Sequence, residues 1–395
     1  MATPPPPTGQ PVPVPPAPQT PATPEKPVDK PEFTIAWTQT FDADRRVTIW
    51  AGASVVLVTP VPTVTTDPAV ASDATASPAP TVPTGAAIIA HRAADGTVAW
   101  QSALSTHRPI VFGDGLAFVS HARHVSALAE ETGAERWRID LPAAPLHIAS
   151  FVGGLLVTTT TELLAYRVVD GQLVWRAALD APPASPGAAS AVAVFVATSD
   201  NVLHGFDRVT GRALWRQPIV SAPAALVVHG SRVYYGTSRG TICAFEADAG
   251  REAWCYELGA TLVGTPLVDD ARVCAVLLNN TVYGLAAGGG NLRWRRSIDA
   301  RPASPAGRIG ARVMVPMSDG GLAAIDPDTG RARAALGPPP ASPTDATPGR
   351  VTLEAGAFAS DGSRFFRLTS SSVSGYSLTA IVPAPAVTDG SDRRY

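Results

Sequence analysis

HGFDRVTGRALW, residues 204–215, is the stretch on which the reading of this chain turns. A short apolar run leads into a Thr-Gly turn, and a tryptophan follows the glycine by four residues. The phrase returns as Gly96/Trp100, Gly133/Trp137, Gly171/Trp175, Gly211/Trp215, Gly250/Trp254 and Gly290/Trp294, with successive glycines 37, 38, 40, 39 and 40 residues apart. A seventh copy, AIDPDTGRARA at 324–334, puts Gly330 another 40 residues on and carries Ala334 in the tryptophan position. Self-similarity at a fixed period is the mark of a repeat architecture.

Each unit resolves into four strands. Between Trp215 and Leu258 stand PAALVVHG, SRVYYGTS, GTICAFEA and DAGREAWCYEL, short Val/Ile/Tyr/Phe-rich runs bounded by turn formers. No run has a helical period. The glycine before the last strand suits a tight hairpin that needs positive φ, and DG or TG stands there in five copies. The tryptophan then falls on the outer strand, where it covers the junction with the next unit. Four-stranded sheets of this length repeated around a ring make an all-β propeller, which limits exposed sheet edges by circular repetition.

The chain ends set the blade number. FTIAWTQTF at 33–41 reads as an outermost strand carrying Trp37, with no strands before it. VTLEAGAFASDG, SRFFRLTSS and SVSGYSLTAIV, together 351–382, supply three strands with no tryptophan strand after them. Residues 33–41 are therefore expected to close the C-terminal blade. The 350 residues from 33 to 382, less two insertions of 25 and 13, divide into eight blades of 39.

Composition bounds the rest. Residues 1–32 hold 13 of the 39 prolines and read as a disordered tether; 33–382 is the propeller, and 383–395 reads as a disordered tail. Thr/Ala/Pro-rich runs at 61–85 and 337–349 read as flexible loop insertions. Lys+Arg 31 against Asp+Glu 33, with no long basic run, argues against nucleic acid as a partner. No 18-residue apolar stretch appears, so no transmembrane helix is expected, and the propeller is expected to be monomeric. Met1 is followed by prolines rather than by a charged and then an apolar region, so the sequence as given opens without a signal peptide. The three cysteines, 243, 255 and 274, exclude a disulfide-dense scaffold and a four-Cys zinc site. Cys243 and Cys255 stand symmetrically about residue 249 and can face each other on adjacent strands; reduced buried thiols are the favoured expectation, a cross-strand disulfide the alternative.

HGFDRVTGRALW, SALAEETGAERW and AIDPDTGRARA resemble the pyrroloquinoline-quinone-type propeller repeat, whose pattern is Ala-x-Asp-x-x-Thr-Gly-x-x-x-Trp. The motif aspartate stands at Asp207 and Asp326 and is replaced by Arg92, Ala129, Arg167, Glu246 and Ala286 elsewhere. Size, blade count and the Pro-rich N-terminal segment are most similar to the BamB family of outer-membrane assembly lipoproteins, whose lipobox cysteine this sequence lacks. The resemblance implies a non-enzymatic protein-interaction scaffold at the periplasm or outer membrane, with outer-membrane assembly components as partners. Quinoprotein dehydrogenases share the repeat but use a vicinal Cys-Cys disulfide, calcium and a catalytic Asp; without a Cys-Cys pair, no cofactor, metal or catalytic residue is expected. A quinoprotein-like enzyme and a ligand-sensing propeller ectodomain are the alternatives.

Site candidates are of two kinds. Trp37 and the repeat glycines and tryptophans, ending at Gly330, are expected to dock blades. The turns between second and third strands share one face with the inter-blade connections and with both insertions, which makes it the expected partner face. It carries His121, Arg123 and His124 in SHARHV, Asp200 and Asn201, and Arg239. The opposite face is expected to hold only tight Gly hairpins. Arg123 and Arg239, in equivalent turns, are the expected hot spots.

Overall fold

A computed structural model describes residues 33–42, 47–60, 88–104, 106, 108–223, 225–337, 352–359, 361–370 and 375–384, all within one compact unit, Glu32–Tyr395. The expected tether, both insertions except Gly337, and the tail beyond Ala384 lie outside the described residues. Among the described residues there is no helix; 32 strands form eight four-stranded antiparallel sheets.

In chain order, blade 1 is β2 (Val47–Ala51), β3 (Val55–Pro60), β4 (Ile88–Arg92) and β5 (Val98–Ser102). Blade 2 is β6 (Val111–Gly113), β7 (Leu116–His121), β8 (His124–Ala129) and β9 (Glu135–Asp140). Blade 3 is β10 (His147–Phe151), β11 (Gly154–Thr158), β12 (Glu162–Arg167) and β13 (Leu173–Ala178). Blade 4 is β14 (Ala188–Ala189), β15 (Ala193–Thr198), β16 (Val202–Asp207) and β17 (Ala213–Pro218). Blade 5 is β18 (Ala225–His229), β19 (Arg232–Gly236), β20 (Thr241–Glu246) and β21 (Glu252–Glu257). Blade 6 is β22 (Leu267–Val268), β23 (Arg272–Val276), β24 (Thr281–Ala286) and β25 (Leu292–Ser297). Blade 7 is β26 (Gly307–Ile309), β27 (Arg312–Pro316), β28 (Leu322–Ile325) and β29 (Ala332–Leu336). Blade 8 takes β30 (Thr352–Phe358), β31 (Phe365–Ser370) and β32 (Gly375–Pro383) from one end of the chain and β1 (Phe33–Asp42) from the other. β1 pairs antiparallel with β32 from Phe33↔Pro383 to Asp42↔Gly375, so the closing strands reach one residue beyond the expected 41 and 382.

Second strands such as β15 are buried throughout because a sheet lies against each of their faces. Outer strands such as β13 are mostly exposed, with Trp175 their buried anchor. The core is correspondingly divided: the eight hydrophobic clusters each join two neighbouring blades, as Phe195 and Leu203 of blade 4 join Tyr235 and Phe245 of blade 5.

Each repeat tryptophan reaches forward to the next blade. Its indole N–H donates to a carbonyl in that blade's last hairpin: Trp37 to Ala93 (3.0 Å), Trp100 to Glu130 (2.8 Å), Trp137 to Val168 (2.6 Å), Trp175 to Arg208 (2.8 Å), Trp215 to Ala247 (3.0 Å), Trp254 to Ala287 (3.0 Å) and Trp294 to Pro327 (2.9 Å). Three residues past each acceptor stands the next blade's glycine, and all seven have φ between 67° and 77°. A Cβ on Gly211 would lie 2.6 Å from the Trp175 ring, and one on Gly250 2.4 Å from Trp215. The glycine thus answers two demands, a left-handed turn and room for the ring of the blade before. On its own sheet each of these tryptophans lies opposite an alanine or glycine, from Ala90↔Trp100 through Gly205↔Trp215 to Ala380↔Trp37, and the residue before it is bulged out of register.

Blade 7 departs from this pattern for a topological reason. A latch from it would need the hairpin between the third and fourth strands of blade 8, but those strands are β32 and β1, which no hairpin joins. Ala334 stands in the tryptophan position, and the bulge moves two places on, to Ala335. The junction is filled instead by Phe33 of β1, packed with Leu322, Ala335 and Phe365, and tied by Arg367 Nη1 donating to the Gly320 carbonyl at 2.7 Å.

Cys243 and Cys255 form a disulfide, against the expectation of reduced thiols. They are direct cross-strand partners on β20 and β21 with Cα atoms 4.1 Å apart, the short separation of an antiparallel pair that does not share hydrogen bonds. Cys274 remains a buried free thiol, its pKa raised to about 11 by burial.

Candidate functional site

Antiparallel alternation puts the turns between second and third strands on the same face as the inter-blade connections. A recurring backbone staple fixes the two together: the amides of Leu141, Leu179, Ile219, Leu258 and Ile298 donate to the carbonyls of Arg123, Thr161, Asn201, Gly240 and Asn280, each 18 residues earlier, at 2.7–2.9 Å. The five donor side chains are buried, so each blade plugs its own loop into the rim. The sequence carries a signal for this plug, an unremarked Leu or Ile four residues after the tryptophan in each of these blades.

The expected partner-face residues sit on three blades and are not gathered into one cluster. On blade 2, His121 and His124 close the β7–β8 hairpin around Ala122, whose φ is 49°, with their rings 5.4 Å apart. His124 Nδ1 shares a hydrogen bond with Asp140 Oδ1 at 2.5 Å, and His121 Nε2 shares one with Ser126 Oγ at 3.3 Å. Burial, and then the charge of His124, push the His121 pKa down. Arg123 is exposed, but its guanidinium has neighbours. Its Nη2 donates to the Leu141 and Pro142 carbonyls at 3.1 and 2.5 Å, which commits the guanidinium to holding the next connection.

On blade 4, Asp200 accepts from Thr198 Oγ1 at 2.5 Å, and Asn201, at φ 63°, accepts the Ala222 amide on its side-chain oxygen at 2.7 Å. Both therefore shape the loop. Arg239 of blade 5 is exposed, in a turn fixed by Gly240 at φ 81°, where a Cβ would meet the Ala260 carbonyl at 2.3 Å. Arg239 thus stands exposed beside a tightly constrained glycine.

The opposite face holds more than the expected Gly hairpins. Val152, Val169, Val192 and Val209 are each at least 66% exposed in the turns of blades 3 and 4. Arg208 bridges two of these turns by donating to the Ala191 and Val152 carbonyls while lying over the Phe151 ring.

The quinone–calcium site of the enzymes that share this repeat finds no fit among the described residues. The repeat indoles are committed to inter-blade carbonyls, and the paired cysteines are cross-strand partners rather than sequence neighbours. Among the described residues no three His, Cys, Asp or Glu side chains converge as metal ligands.

Comparison with known proteins bears on the fold and on the family. A search of curated proteins by sequence gives no match. Among solved structures, BamB from Moraxella catarrhalis superposes with a TM-score of 0.56 at 16% identity, covering 88% of this chain and 97% of that one. The computationally designed Ika8 protein gives 0.64 at 12% identity, covering 89% and 99%, and Saccharomyces cerevisiae Sqt1 gives 0.63 at 8%, covering 89% and 99%. At these identities the likeness is one of fold. A PQQ-type family model described as outer membrane protein assembly factor BamB matches residues 84–225 and 199–381, which together span 298 of the 395 residues. On that match, the chain belongs to the PQQ-type propeller family of outer membrane protein assembly factor BamB.

Proposed function

We propose that this propeller is a non-catalytic scaffold of the cell envelope, at the periplasmic side of an outer membrane, and that its loop face holds outer-membrane assembly components together. The observation that carries the reading is the division of labour between the polar groups. The latches and staples use backbone and buried side chains, leaving a preorganised rim whose turns differ from blade to blade. Preorganised loops bind with little ordering cost, which suits a docking platform. The Cys243–Cys255 disulfide supports an oxidising compartment.

The test is site-specific photo-crosslinking in envelope preparations, with the photoreactive residue replacing Arg239 or Ser199 on the loop face, and Arg212 or Thr210 on the hairpin face. Loop-face positions are expected to capture an outer-membrane assembly component, and hairpin positions not. Capture from the hairpin face alone overturns the face assignment. Capture from neither overturns the scaffold reading.

A further inference from the structure

The outer wall of the ring distributes charge unevenly. On blades 2, 3 and 4 an outer-strand arginine is paired in each, Arg138 with Glu135 at 2.8 Å, Arg176 with Glu162 at 3.8 Å and Arg216 with Asp180 at 3.3 Å, and Arg136 of blade 2 stands beside the first of these pairs. Blade 5 presents Glu252 and Glu257 on β21. Blade 6 then presents Arg293, Arg295 and Arg296 on β25, with no acidic residue on the strand, and Arg331 and Arg333 follow at the outer strand of blade 7. All five are exposed. Arg293, Arg295, Arg296 and Arg331 make no ion pair among the described residues; of the nearby acids, Asp326 pairs with Arg312 at 2.6 Å and Asp328 with Arg272.

Between these two strands lies a cavity of about 430 Å³, lined on its rims by Arg296, Arg331 and Arg333 and on its floor by Ile298, Met317 and Leu322. Asp299 and Asp319 also line it. Small residues at Ala323 and Ala332, in the blade without a repeat tryptophan, line the same groove. Arg296 is preset, its Nη1 and Nη2 donating to the Arg295 and Thr329 carbonyls at 2.9 and 3.3 Å, and Arg295 lies over the Tyr283 ring.

We infer that this groove between the outer strands of blades 6 and 7 docks an extended, acidic peptide segment of a partner protein. Guanidinium forks pair with carboxylates in bidentate geometry. Alternate carboxylates on an extended chain recur every ~7 Å, the step between alternate positions of a strand it would lie along. The apolar floor receives the methylenes between them. A flat anionic membrane laid on these blades would also meet Glu252 and Glu257 of blade 5, and so fits less well. The adjoining segment 338–350 has one aspartate, Asp345, against Arg350, and so lacks the complementary charge. The groove runs along the outer wall and reaches the loop face at Asp299 and Asp319, but the inference stands or falls independently of the function proposed above.

The probe is a fluorescent peptide of alternating glutamate and serine, followed by anisotropy with the full chain, beside a glutamine-serine peptide of equal length. The wild-type chain should bind only the acidic peptide, with affinity falling as salt rises. R293E/R296E should weaken binding by at least about tenfold, while R138E/R216E, equal in charge change, should alter it less than about twofold. Equal loss in both variants, or none in R293E/R296E, overturns the site. Phosphatidylglycerol vesicles bound through these arginines without peptide binding would assign the surface to a membrane, and self-association abolished by R293E/R296E would assign it to a second copy; either overturns the inference. Should R293E/R296E not fold, hydrogen exchange on the wild-type chain decides. Peptide-dependent protection at 292–297 and 331–336 supports the site, and protection elsewhere or none overturns it.

Discussion

Seven of the blade junctions and the one between blades 7 and 8 solve the same packing problem by different means. In the seven, a tryptophan from one blade lies over the glycine of the next and donates to the carbonyl three residues before it. At the eighth the receiving hairpin does not exist, and Phe33, arriving from the far end of the sequence, fills the space with Phe365 and Leu322. The contrast shows that the tryptophan is part of a two-blade device. Where its receptor is absent, the residue, the bulge before it and the latch are lost together.

The largest effect should come from the strand that serves both kinds of junction. β1 carries Phe33 into the blade 7–8 core and Trp37 onto blade 1. Removing 33–42 forfeits the buried Phe33, at about 3–5 kcal/mol, and the partly buried Trp37, at less, and bares the edge of β32. Chemical denaturation should show that loss, whereas removing 2–31 should leave the midpoint nearly unchanged. Equal midpoints for the two truncations would contradict ring closure by β1.

Next in size is a single latch. Trp175→Ala should cost about 3–5 kcal/mol, since it empties a buried site and orphans the Arg208 carbonyl. Ala334→Trp should bring no gain, having no hairpin to receive it. A stabilised A334W variant would show that the missing receptor is not what excludes tryptophan there.

The smallest effect is one of acidity. Burial pushes down the pKa values of His121, His147 and His204, all on blades 2 to 4, and blades 7 and 8 carry no histidine. These rings take up protons at lower pH in the folded chain than in the unfolded chain, whose ordinary value is ~6.5, so stability falls as pH drops from about 6.5 toward 5. Hydrogen-exchange protection factors, corrected for the intrinsic pH dependence of exchange, should fall across that window in blades 2 to 4 and stay unchanged at the blade 7–8 junction. A uniform response would separate the histidines from the effect.

Blade number, strand order and ring closure were legible because each repeat states them again with the same spacing. The tryptophan was legible as a junction residue, but its receptor was not. Gly211 stands four residues before Trp215 in sequence, yet it lies under Trp175, because adjacent blades are offset by one unit. The small residue opposite the ring recurs ten places before it, as at Ala90, Ala127 and Gly205, and would have marked the seat. The loop face was legible as a location only. Both turn arginines are exposed, and whether one also engages the neighbouring loop depends on the carbonyls that loop offers, as the Leu141 and Pro142 carbonyls do for Arg123.

A double-mutant cycle on one latch tests the forward reach of the tryptophan most directly. Gly211→Ala should cost about 2–4 kcal/mol, from backbone strain plus a Cβ driven into Trp175. In a Trp175→Ala background the clash is gone, and the same change should cost only about 1 kcal/mol. Gly171→Ala, whose Cβ meets Trp137 rather than Trp175, should cost the same in both backgrounds. Relief of Gly171→Ala by Trp175→Ala, with none for Gly211→Ala, would place the ring over its own blade's hairpin and contradict the latch.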